Sequence, residues 1–212
     1  TEKERNLPST VILINTVRAK SLQFVPLMRT LIITGLLSTA SLMVARASPP
    51  DFETQLGVAH IGGLYSLSDT DYLNEGAVTA TAIGARCIKV GLSLDTDNPS
   101  PKLYPFHSKW PATETLVELA DTSYFRALFS RDFDTFILNA FRPGRPAGYW
   151  KDGFSPEDEK AEEECFASLT RYLLHTYSTT KKTFIIQNWE GDWALRGNFD
   201  PATKPTPAAT AA

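Results

Sequence analysis

An α/β fold assembled from consecutive βα units follows from three features of the sequence. Short apolar runs rich in Val, Ile and Phe alternate with longer stretches whose apolar residues recur at helical spacing. Four such strand-like runs, separated by three helix-like stretches, follow one another in strict order between residues 56 and 188, the pattern of a parallel sheet. The loops after the second and third runs are long, polar and aromatic, and neither Gly-x-Gly-x-x-Gly after the first run nor a Walker pattern anywhere points to a nucleotide-binding open sheet. Of the two architectures that fit, a doubly wound sheet and a TIM (β/α)8 barrel, the loops favour the barrel. A complete barrel needs about 250 residues. About four βα units are visible here, so we expect a partial, truncated barrel.

Each element has a local reason. Leu56 to His60 reads as the first strand and runs into the turn Ile61-Gly62-Gly63. Ser68 to Asp71 offers helix-capping side chains before a helix from Tyr72 to about Ala85. Arg86 to Leu92 is the second strand, and a Pro-rich polar loop follows from Ser93 to Pro111. Thr113 is a plausible cap for a helical region reaching Phe129, with Leu116, Leu119 and Ala120 on one stripe. Phe133 to Phe141 is the third strand, followed by the loop Arg142-Pro143-Gly144-Arg145-Pro146. Ser155-Pro156-Glu157-Asp158 combines a cap, a first-turn proline and early acids, and starts a helix that runs to about Tyr177 with Phe166, Leu169, Leu173 and Leu174 on one stripe. Thr183 to Asn188 is the fourth strand.

The 212 residues suit one sizeable domain or part of a larger one, and 42% hydrophobic with 21% charged residues is an ordinary globular balance. A net charge of -3 supplies no basic field, so no nucleic-acid partner is expected. Met28-Arg29, the apolar run Leu31 to Val44 and the small-residue motif Ala45-Arg46-Ala47 form a secretory signal peptide over residues 28–47. The run is shorter than the ~20 residues of a membrane span. Cleavage after Ala47 therefore leaves a secreted, extracellular protein with no stable span. Residues 1–27 precede that start; although they hold a second apolar patch, Val11 to Val17, they are set aside as an upstream extension outside the fold. The partial barrel is assigned to residues 51–200, and residues 201–212 to a Pro/Ala/Thr-rich tail or a loop cut short. Cys87 and Cys165 each suit a small buried hydrophobe, and whether they bridge is open. Their spacing suits neither zinc nor a cysteine nucleophile, and no metal or cofactor is expected.

In a parallel barrel the reactive groups stand at the carboxyl ends of the strands. Those positions hold His60, then Ser93 and Asp95, then Asn139 and Arg142, and finally Asn188, Glu190 and Asp192. The fourth strand end is the richest, because Glu190 lies between Trp189 and Trp193. Partial burial beside indole raises a carboxyl pKa and suits a general acid. Trp189, Trp193, Tyr149 and Trp150 also offer flat faces on which a sugar ring stacks. The plain alternatives are a packed loop with solvated acids, a core histidine at His60, a turn aspartate at Asp95 and a loop cation at Arg142.

Asn188-Trp189-Glu190 at the end of a fourth strand resembles the arrangement in retaining glycoside hydrolases of the large (β/α)8 clan, which carry an Asn-Glu pair there with the Glu as acid/base. The region from about Leu56 to Asp200 is also similar to secreted glycosidase-like barrel proteins. In this sequence Trp189 stands between the Asn and the Glu, so the pattern is not identical. The resemblance implies a carbohydrate substrate, Glu190 as acid/base with Asp192 beside it as the other candidate, and Asn188, Trp189, Trp193, His60, Arg142 and Trp150 around the sugar. The clan's nucleophile is a Glu on the seventh strand, so the second carboxylate is expected beyond residue 212 and the chain alone is expected to be inactive. Two other functions remain: a carbohydrate-binding barrel without catalysis, and a small open-sheet α/β protein.

Overall fold

Five short runs of β-branched and aromatic residues pair into one all-parallel sheet: β1 Thr10–Ile14, β2 Gly57–His60, β3 Cys87–Ser93, β4 Thr135–Phe141 and β5 Thr183–Gln187. The computed structural model describes residues 10–14, 56–187 and 191–211. The helices are α1 Tyr72–Ala82, α2 Ser100–Leu103, α3 Leu116–Ala120, α4 Ser123–Phe129, α5 Pro156–Thr176, α6 Gly191–Arg196 and α7 Pro207–Ala211, with a 3-10 turn at Tyr149–Asp152. The protein is therefore an α/β protein with a parallel sheet. Across the sheet the strands run β1-β5-β4-β3-β2, so β2 to β5 lie side by side in sequence order with no reversal.

The register explains the core. Val90, Leu138 and Ile186 are paired neighbours, as are Ile88, Phe136 and Phe184. These residues are almost fully buried and form one cluster with Leu73 and Ala77 of α1, Leu116 and Leu119 of α3, Phe125 and Phe129 of α4, and Leu169 and Leu173 of α5. Side chains alternate across a strand, so a single shared cluster puts these helices on one face of the sheet. Phe136 stacks on Phe184 at 5.4 Å and 17°, and Phe129 meets both edge-on at 5.3 Å.

Several local expectations shift by a residue or an element. The cap of α3 is Thr115 rather than Thr113, because Glu118 completes a capping box with it. The single helix expected from 113 to 129 is two helices, since the Thr122 side chain accepts from the Phe125 backbone N–H and restarts the helix. Asp71 caps α1 and Ser155 caps α5, where Asp158 closes a second capping box and Pro156 opens the first turn. Leu174, expected on the core stripe of α5, is 39% exposed. Thr10–Ile14, set aside with residues 1–27, belongs to the sheet as a parallel neighbour of β5. Thr-Val-Ile-Leu-Ile is β-branched and apolar, which is what a partly covered sheet edge selects. Pro207–Ala211, read as tail or loop, is helical and packs near the 3-10 turn.

The opposite edge is finished by side chains. β2 stops at His60 while β3 continues to Ser93, which leaves backbone groups of β3 without a strand partner. The Tyr104 hydroxyl accepts from Gly91 N–H at 2.8 Å and donates to His60 C=O at 2.8 Å. Ser100 Oγ accepts from Ser93 N–H at 2.9 Å and donates to Gly91 C=O at 3.0 Å. Burial holds the Tyr104 phenol far above its ordinary pKa, so the bridging proton stays in place.

Cys87 alternates with Ile88 onto the face away from the helices, whereas Cys165 lies on α5, and both thiols are free. Thiol titration of the denatured, unreduced protein is expected to count both cysteines. Phe184→Ala removes the centre of the aromatic cluster and is expected to cost about 3–5 kcal/mol of stability, read by chemical denaturation.

Candidate functional site

After β4 and β5 in sequence come short segments that pack together as one layer. The β4–α5 loop carries the 3-10 turn Tyr149–Asp152, and this turn packs against both α6 and α7. Thr206 donates its hydroxyl to Lys151 C=O at 2.8 Å, fixing α7 to the turn. Trp150 and the helix that includes Asp192 and Trp193 thereby belong to the same layer.

The individual residues are less uniform. Asn188, Trp189 and Glu190 lie outside the described residues, as does the side chain of Asp192, although α6 begins at Gly191 directly after them. Trp193 is half-buried and meets Phe199 edge-on at 4.4 Å. Trp150 is half-buried and stacks on Phe154 at 4.4 Å and 11°, so one of its faces is already occupied. His60 stands apart from this group. Its ring packs on Gly76 of α1, with Nε2 2.9 Å from Tyr72 C=O, and lies 4.9 Å from the Tyr72 ring. Burial lowers its pKa, against the Tyr72 carbonyl and Glu75, which raise it, so the neutral ring is favoured.

Arg142 is the centre of a charged cluster whose other members the strand-end reading did not include. Its Nη2 donates to Asp158 Oδ1 at 2.6 Å and its Nε donates to Glu162 Oε1 at 2.9 Å. Arg145 donates to the same Asp158 oxygen at 2.6 Å, and the Tyr149 hydroxyl donates to Glu162 Oε1 at 2.6 Å. Both guanidinium groups sit over the Tyr149 ring, at 5.3 and 5.2 Å from its centre. The Arg142, Asp158 and Glu162 side chains are only 14%, 11% and 16% exposed, whereas Arg145 is 45% exposed. Burial first, and then the Glu162 carboxylate, raise the Tyr149 phenol well above its usual range. The Arg145 hydrogen bond, helped by Ser155, holds Asp158 below its usual value despite the opposing cost of burial. The cluster clamps the β4–α5 loop onto the first two turns of α5, which is a positioning role. The sequence signal was present as acids four apart at Asp158 and Glu162, facing two loop arginines.

Arg145, Tyr149, Asp152, Phe154, Ser155 and Asp158 line an open cleft of about 400 Å³ beside this clamp. Its lining combines two aromatic rings, one half-exposed cation and two acids. Asn139, on the sheet face away from the core and paired in register with Gln187, keeps a buried Oδ1 without a hydrogen-bond partner. The other strand-end polar groups are spent on turns: Ser93 Oγ donates to Asp95 Oδ2 at 2.7 Å, and Asp95 Oδ1 accepts from Asp97 and Asn98 N–H.

The chain matches no protein-family model, no curated protein and no solved structure. Among the described residues no group of His, Cys, Asp and Glu is placed to hold a metal ion, and no helix is long and apolar enough to cross a membrane.

Arg142→Ala is expected to destabilise the protein by about 2–3 kcal/mol, below the full cost of breaking a buried ion pair because Arg145 and Tyr149 remain as partners. The Asp158 pKa is depressed in the fold, so its contribution is complete above the ordinary carboxylate value. It is lost as pH falls through the lower folded value, that is, below about pH 4. Proteolysis of the β4–α5 loop is expected to speed up in that acid range, and Arg145→Ala is expected to flatten the dependence.

Proposed function

We propose that the protein acts on carbohydrate through the carboxyl ends of a partial (β/α)8 barrel wall, with Glu190 as general acid/base. The observation that carries this reading is the winding. Strands β2 to β5 follow one another without reversal and their helices share one face. A barrel wall is wound in this way, whereas a doubly wound sheet reverses its strand order and puts helices on both faces. In sequence Glu190 lies between the end of β5 at Gln187 and the start of α6 at Gly191, which supports reading it at the carboxyl end of such a wall.

Glycoside cleavage uses two carboxyl groups flanking the bond. Glu190, between Trp189 and Trp193, supplies the protonated one; Asp192, or a carboxylate contributed from outside this chain, supplies the other. The aromatic cleft around Tyr149 and Phe154 supports a sugar neighbouring the cleaved bond. The same cleft favours a second reading, a carbohydrate-binding protein without catalysis, because its aromatic residues Tyr149 and Phe154 offer ring faces without needing Glu190.

One substitution separates the two. In the full-length protein, Glu190→Gln is expected to lower glycoside hydrolysis about 10³-fold while leaving glycan affinity, measured by calorimetry, within about twofold. Hydrolysis unaffected by the substitution removes Glu190 from the mechanism. Binding without turnover in either form selects the second reading, and absence of glycan binding in both removes carbohydrate.

A further inference from the structure

The two edges of the sheet are protected by different means. At β2 the surplus backbone groups of β3 are met by Tyr104 and Ser100, which are built into the following loop. β5 has no such side-chain guard in its own sequence. Thr-Phe-Ile-Ile-Gln holds no charge and no proline, and Phe184 and Ile186 are 0% and 3% exposed. A flat apolar edge of this kind recruits another strand. The strand it holds is β1, paired in parallel from Thr10↔Thr183 to Ile14↔Gln187 and also resting against α5.

β1 is adjacent in sequence to β2, yet the two lie on opposite edges of the sheet. Residues 15–55 join them, and at about 3.3 Å per extended residue this connection far exceeds the few strand spacings of about 4.8 Å it has to cross. The connection therefore does not dictate which copy of the chain supplies the strand.

We propose that the outer edge of β5 is a strand-acceptor surface and that its ligand is the Thr10–Ile14 segment, donated by the same chain in this structure and by a second copy of the chain on exchange. Recognition is by backbone hydrogen bonds in parallel register, with the β-branched apolar residues of the segment suited to the edge. Removal of the segment leaves an edge that self-associates. This inference needs no action on carbohydrate, and it gives β1 the edge on which a continuing barrel wall would add its next strand.

The test uses the full chain. Ile12 and Ile185 are directly opposed, a spacing compatible with a disulfide. The Ile12→Cys, Ile185→Cys double variant is expected to form an in-chain crosslink between these positions on mild oxidation. A mixture of the two single variants, incubated before oxidation, is expected to form a crosslink between chains at the same positions. No crosslink in the double variant overturns the pairing itself, and crosslinks only within the chain overturn exchange. In a second variant, Val11→Pro with Ile12→Pro removes a ladder donor whichever of the two supplies it. Its Thr183–Gln187 amides are expected to exchange hydrogen at least about tenfold faster, and a peptide of residues 8–16 is expected to restore their protection. Unchanged exchange, or faster exchange that the peptide does not reverse, overturns the acceptor surface.

Discussion

The parallel ladder between β4 and β5 is the constraint on which the rest of the molecule depends. Its register aligns Phe136 with Phe184, and the stack of those two rings gives α4 a surface for Phe129 to meet edge-on. A slip of β5 by one residue would send Phe184 and Ile186 to the opposite face and leave Phe136 and Phe129 without their partner. The same ladder ends at the Asn139–Gln187 pair, and Gln187 is the last described residue before α6 begins at Gly191.

Above that ladder the protein uses charge to do what apolar burial cannot. The β4–α5 loop is rich in Pro and Gly, and its aromatic residues pack mainly on one another. Arg142 and Arg145 compensate by converging on Asp158, while Tyr149 fills the space between them and returns a hydrogen bond to Glu162. Each acid satisfies more than one donor, so the cluster is stiff without being large. Its stiffness positions Tyr149 and the neighbouring Trp150–Phe154 stack at the edge of the open cleft.

The sheet was readable in the sequence because four strand runs and three helical stretches each carry their own period. Val90, Leu92, Phe136 and Leu138 announced themselves by alternation, and Ser155-Pro156 announced a helix start. The break at Asp121–Thr122 was not readable from the apolar stripe, which continues across it; the deciding group is one threonine hydroxyl. β1 was missed for a different reason. Its pairing with β5 is non-local, and a leader-like segment after it argued for setting it aside. At the site, the strand-end positions identified Arg142 but not its partners, since ion pairing between a loop and a helix depends on how the loop folds back. His60 stood at a strand end in sequence, and its pleat turned it under α1.

The hydroxyl-guarded margin beside β2 also gives the carboxyl face a direction. Leu103 lies so near Gly91 that a β-carbon there would come within 2.6 Å of it, and Tyr104 fills the space between the ends of β2 and β3. That half of the rim is sealed by the protein's own side chains. Among the described residues the open cleft lies at the other half, beside Arg145 and the aromatic shelf, so the two halves of this face differ in how closely their own side chains fill them.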